Sequence, residues 1–242
     1  DEGYPDGLTA NLAVKKLRAL SKGEKPFCLA VGFFKPHLPF TAPRKYWDLY
    51  DENAIPLSPV PNIPEGICRY ALHNSGEFNG YLEGDERASL DKSVSEVYAR
   101  KLRHAYFACI SYIDAQVGKI IDELERLGEA DNTIIVVWGD HGWHLGDQRV
   151  WGKHTLMETS LRSTLIMKVP HSSKSIENHR IVSSIDIYPT LMELCGVSVP
   201  DGLDGNSFTK LLADPKERSW HEAAYSYFNN GVSVRVPQYR LT

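Results

Sequence analysis

Residues Thr133 to Trp138 read Thr-Ile-Ile-Val-Val-Trp, a continuous β-branched and aromatic run. A segment apolar on both sides suits a strand covered on both faces, as inner strands of parallel sheets are. The run ends abruptly in Gly139-Asp140-His141-Gly142. In open α/β sheets, ligands bind at the carboxyl ends of strands. Asp140 and His141 are therefore expected at the mouth of a site, between glycines that allow close backbone approach. A carboxylate oxygen and an imidazole nitrogen held at a strand end suit half of a metal shell. The same tripeptide is also an ordinary turn sequence. The wider loop favours the first reading, because Asp140 to His154 holds three His, two Asp, one Lys and two Trp.

A second apolar run, Phe27 to Phe34, reads as another buried strand and leads into Lys35-Pro36-His37-Leu38-Pro39. If the two strands run parallel, a histidine and a basic residue arrive beside the Asp140 loop. Between them, a capping box at Ser93 and Glu96 opens an amphipathic helix of about 30 residues, roughly 45 Å long, with Gly128 as its stop. Residues 51–90 lack periodicity and are rich in Pro, Gly, Asn and Ser, which reads as a functional surface loop. An earlier helix is expected behind a Thr9 cap, and a short one over Pro43 to Tyr50. After the central loop come strands at 163–169 and 180–183. Asp186 caps a helix through Cys195, a short helix starts at Ser207, and a hairpin follows around Asn229-Asn230-Gly231. The order predicts an α/β core over residues 1–205, with a mostly parallel central sheet and helices on both faces. The beginning of a small antiparallel subdomain follows over 206–242.

The chain has 242 residues and a net charge of −4, which gives no electrostatic footprint for nucleic acid or an anionic membrane. No apolar run approaches the roughly 18 residues of a membrane span. Cys28, Cys68, Cys109 and Cys195 are too far apart for zinc-type spacing and read mostly as buried thiols. The chain opens at Asp1 without Met or a leader and stops inside an expected strand, so it reads as a piece of a longer polypeptide.

Several blocks, in order, carry a resemblance: AVGFFKPHLPF, YFACISYIDAQVGKIIDEL, TIIVVWGDHGWHLGD followed by WGKHT, SSIDIYPTLMELCGV and DGNSF. Together they resemble the later two-thirds of sulfatases, above all the iduronate-2-sulfatase branch of the alkaline-phosphatase-like superfamily. The resemblance implies hydrolysis of sulfate esters by a formylglycine nucleophile with one bound Ca2+. Asp140 and His141 then match two metal ligands. His37 of Lys-Pro-His matches the histidine that contacts the ester, and Lys153 of Trp-Gly-Lys the lysine that bridges sulfate and leaving oxygen. The implied substrate is a sulfated carbohydrate, such as one with 2-sulfated uronic acid, and the implied compartment is secreted, periplasmic or lysosomal. A cation such as Lys153 stabilises developing charge, and a histidine can protonate a poor leaving group.

The departures are specific. No cysteine or serine here stands in Cys/Ser-x-Pro-x-Arg, no Asp-Asp pair exists, and the family's upstream Lys and His are missing. Half a site is expected to be inactive alone and to bind calcium weakly, since calcium takes about six to eight oxygens. The other readings are a phosphodiesterase or phosphonate hydrolase of the same superfamily, and a non-catalytic relative that binds sulfated glycans.

Overall fold

The computed structural model describes residues 1–81, 86–172 and 175–242. Its helices are α1 (Pro5–Leu20), α2 (Arg44–Trp47), α3 (Gly76–Gly80), α4 (Glu96–Arg126), α5 (Glu158–Leu161), α6 (Ile187–Leu194) and α7 (Thr209–Ala213). Its strands are β1 (Ile135–Trp138), β2 (His144–Leu145), β3 (Trp151–Gly152), β4 (Leu165–Lys168), β5 (Ala224–Phe228), β6 (Gly231–Arg235) and β7 (Arg240–Leu241). The chain divides into two compact units. One comprises Asp1–Val137, Trp143–Lys153 and Leu165–Ser172; the other comprises Trp138–Gly142, His154–Thr164 and Ser173–Thr242. No helix among the described residues is long and apolar enough to cross a membrane.

The first unit is built on α4. This helix starts two residues later than the Ser93 box predicts, because the Ser95 hydroxyl accepts from Tyr98 N at 3.2 Å and donates to Glu86. Its far end closes as expected at Gly128, whose φ of +74° favours a residue without Cβ. Ala105, Ala108, Cys109 and Tyr112 of α4 are buried with Leu38, Phe40, Phe78, Trp143 and Trp151. A second cluster joins α1 to α4 through Leu17, Leu124 and Ala130, with Phe27 and Leu29 against it. Beside that cluster, Arg18 Nε donates to Glu123 Oε1 at 2.8 Å, and Arg126 Nε donates to Glu123 Oε2 at 3.0 Å. Helix α1 begins at Pro5, before the predicted Thr9 cap, since proline fits a first turn that needs no N–H.

The α/β character holds, but the mostly parallel central sheet is not seen among the described residues. There β1 lies beside β4 as a two-stranded sheet, and β2 pairs antiparallel with β3. Phe27 to Phe34 is extended without a ladder among the described residues. Its odd-numbered side chains are half-buried and its even-numbered ones exposed. That alternation leaves Cys28 in solvent. Cys68 and Cys195 are also exposed and only Cys109 is buried, against the expectation of mostly buried thiols.

In the second unit β5, β6 and β7 form an antiparallel sheet in the order β5-β6-β7, with Phe228 opposite Gly231 across the predicted turn. Asp186 sits in a short 3-10 turn ahead of α6. It accepts from Ser183 N at 2.7 Å and from Asn206 N at 2.8 Å, so Ser183 is the cap of this box and Asp186 its reciprocal third residue, and the expected side-chain cap of Asp186 on α6 itself is not made. The predicted strand at 180–183 is absent because side chains take its backbone groups. Glu222 accepts from Ile181 N, and Trp220 Nε1 donates to Ile181 O.

Candidate active site

The loop that carries His37 is held from three sides. Asp6, buried in the first turn of α1, accepts from Phe34 N at 2.7 Å and from Lys35 N at 3.0 Å. Lys35 folds back, and its ammonium donates to the carbonyls of His37 and Pro39. Burial pushes the Lys35 pKa down, and its two carbonyl hydrogen bonds brace the loop. The His37 ring meets Phe34 at 4.8 Å and Trp143 at 6.3 Å between centroids.

His37 Nδ1 lies 2.8 Å from the Leu38 carbonyl oxygen. That oxygen can only accept, so Nδ1 carries the proton and Nε2 is left for other work. Lys153, directly after β3, brings its Nζ to 3.1 Å from His37 Nε2 and 5.4 Å from the centre of the Trp143 ring. A third side chain, which the sequence reading missed, completes the group. Glu77 Oε1 on α3 is 3.1 Å from Lys153 Nζ and 3.2 Å from His37 Nε2. The side chains of His37, Glu77 and Lys153 are 27%, 24% and 16% exposed, so a solute can reach them while most of their surface is dry.

Helix α3 is anchored to the strand before Lys153. Phe78 is 1% exposed and stacks on Trp151 at 5.6 Å, and Trp151 N donates to Ser75 Oγ at 2.9 Å. The only sequence signal for Glu77 was its place in a long segment too irregular to be filler.

Asp140 and His141 lie in the second unit, side by side after β1. Asp140 Oδ1 accepts from His141 N at 3.0 Å, and its Oδ2 is 3.6 Å from His141 Nε2. His141 Nδ1 is 2.8 Å from the Gly142 carbonyl, which assigns the proton to Nδ1 and leaves the Nε2 lone pair facing the carboxylate. The Asp140 side chain is 78% exposed. A hard oxygen and an imidazole nitrogen this close can share one cation. The pair supplies at most part of a cation's shell, and no group of three or more His, Cys, Asp or Glu converges among the described residues. The motif is also shaped by close contact: a Cβ on Gly142 would stand 2.1 Å from the Thr159 carbonyl oxygen.

A fixed ammonium and an imidazole nitrogen over aromatic walls are equipment for gripping an oxyanion. The Sulfatase family model matches residues 2–197, and the chain belongs to that family. It is 29% identical over 229 residues to iduronate 2-sulfatase of Mus musculus, covering 81% of this chain and 40% of that protein. It is 30% identical over 248 residues to a sulfatase of Formosa agariphila, covering 99% of this chain and 46% of that one. Its fold is similar to that of phosphonate monoester hydrolase from Silicibacter pomeroyi, with a TM-score of 0.75, 25% identity, and coverage of 93% of this chain and 44% of that chain. The chain thus spans less than half the length of these relatives.

Proposed function

We propose that the protein carrying this chain hydrolyses sulfate esters, with a sulfated carbohydrate such as one bearing 2-sulfated uronic acid as substrate. The observation that carries the reading is the 3.1 Å approach of Lys153 Nζ to His37 Nε2 on a chain of the Sulfatase family. Lys153 lies against the sulfate and stabilises the charge that grows on the departing oxygen. His37, with Nδ1–H committed to Leu38, contacts the ester through Nε2, and in its doubly protonated form passes the Nε2 proton to the leaving alcohol, returning to the neutral Nδ1–H ring. Asp140 and His141 are this chain's contribution to a calcium site, and the ion polarises the sulfate oxygens when bound. The nucleophile, a formylglycine in this reading, belongs to a Cys/Ser-x-Pro-x-Arg segment that this sequence does not hold. The finer fold belongs to the same proposal: Phe27 to Phe34 and β1 act as strands of a larger, mostly parallel sheet. The compartment is extracellular, periplasmic or lysosomal.

The test is made in the longer protein with that segment present. His37→Ala and Lys153→Met each lower kcat/KM for a sulfate monoester by about 100-fold or more while thermal melting stays near that of the parent. Full activity in both variants refutes the assignment.

The likeness to a phosphonate monoester hydrolase favours a second reading, hydrolysis of phosphonate or phosphate esters through the same contacts. Side-by-side kcat/KM for a sulfate monoester and a phosphonate monoester separates the two.

A further inference from the structure

We propose that Glu77 sets the charge selectivity of this site, admitting singly charged sulfate esters and disfavouring doubly charged phosphate monoesters. The inference rests on the reading of Lys153 and His37 as the contacts to the ester oxygens.

Glu77, Lys153 and His37 form a triangle. One carboxylate oxygen of Glu77 lies 3.1 Å from the Lys153 ammonium and 3.2 Å from His37 Nε2, the same two groups that are to meet the ester. Within the triangle the Lys153 ammonium already faces a carboxylate before any ligand arrives, and the Lys35 ammonium stands nearby on the His37 carbonyl. An anion that comes to Lys153 also comes within a few ångströms of Glu77, and each further negative charge on it adds a like-charge repulsion. The contacts are about three-quarters buried, so water screens this repulsion only in part.

Glu77 is held near by its 3.1 Å contact with Lys153 and by an anchored backbone, since its neighbour Phe78 stacks on Trp151 and Ser75 Oγ accepts from Trp151 N. Trp151 stands two residues before Lys153, so the carboxylate and the ammonium share one packed support. A carboxylate that swung into bulk solvent would leave a bare ammonium, and that site would prefer the dianion. A carboxylate held in place gives the opposite order.

The experiment compares methyl sulfate with methyl phosphate at about pH 8, where a phosphate monoester with a second pKa near 6 is a dianion. Binding to the 242-residue chain is followed by the NMR signals of the His37 ring. The parent chain is expected to bind methyl sulfate about ten-fold or more tightly than methyl phosphate. Glu77→Gln is expected to remove most of that preference through a gain in methyl phosphate affinity, Glu77→Asp to keep it, and Lys153→Met to weaken both anions. Equal affinities in the parent, an unchanged ratio in Glu77→Gln, or no response of His37 to either anion overturns the proposal. Should Glu77→Gln fail to fold, the parent ratio and Glu77→Asp decide. Binding needs no turnover. A protein that keeps the ratio yet hydrolyses no sulfate ester refutes the activity proposed above and leaves the charge selectivity standing.

Discussion

His37 offers one ring nitrogen to side chains because the carbonyl of Leu38 has taken the other, so one end of the ring is fixed to backbone and the other meets Lys153. The four thiols make a similar contrast. Cys28, Cys68 and Cys195 stand in solvent, whereas Cys109 is enclosed on α4 and burial pushes its thiol up to about 12. Iodoacetamide at mildly alkaline pH is expected to alkylate the three exposed cysteines of the native chain and to reach Cys109 only in denaturant, as peptide mass mapping would show; rapid labelling of Cys109 in the folded state would contradict the burial. His37, Lys153, Asp140 and His141 were legible in the sequence because each follows an apolar run and falls in a family motif. Their roles remain proposals, but the pairing of His37 with Lys153 is in the structure. Glu77 was not legible. It is 76 positions from Lys153, in a stretch with no period to interpret, and only folding shows that the two side chains touch.

Among the elements, α4 was the most readable, since a helical period sustained over 31 residues has few alternative explanations. Phe27 to Phe34 was the least reliable. Its apolar content suggested a strand covered on both faces, but a strand is defined by its neighbours, and sequence shows a segment without them. The run at 180–183 failed for a related reason, because two side chains satisfied the backbone groups that a ladder would have used. The seam between α1 and α4 carries a testable consequence. Hydrogen bonds from Arg126 and then Arg18 pull the Glu123 carboxyl down to about 2. The folded-state value lies below the unfolded one, so the stabilisation is complete above the ordinary carboxylate range and is lost as pH falls through about 2. Glu123→Gln is expected to lower the melting temperature at neutral pH and to flatten its fall under acid; a parallel acid profile in both proteins would remove Glu123 as the cause.

At the scale of the whole molecule, chemistry is distributed over pieces that no single segment owns. His37, Glu77 and Lys153 belong to one compact unit and the pair Asp140 and His141 to the other. No Cys/Ser-x-Pro-x-Arg segment occurs in this sequence, and the proposed mechanism needs one. The 242-residue chain assayed alone is therefore expected to release no sulfate from a sulfate ester above the no-protein control, with or without calcium; robust turnover would place the nucleophile within these residues and overturn the division of labour. Fold class was legible at this scale because the alternation of helix and strand survives local errors, whereas the extent of the sheet was not, since it depends on which strands meet. Asp6 ties these scales together. One side chain in the opening turn of α1 clasps two amides of the loop that leads to residue 37. The imidazole therefore takes part of its bearing from a carboxylate on another element, and loss of that clasp would loosen the backbone from which the ring projects.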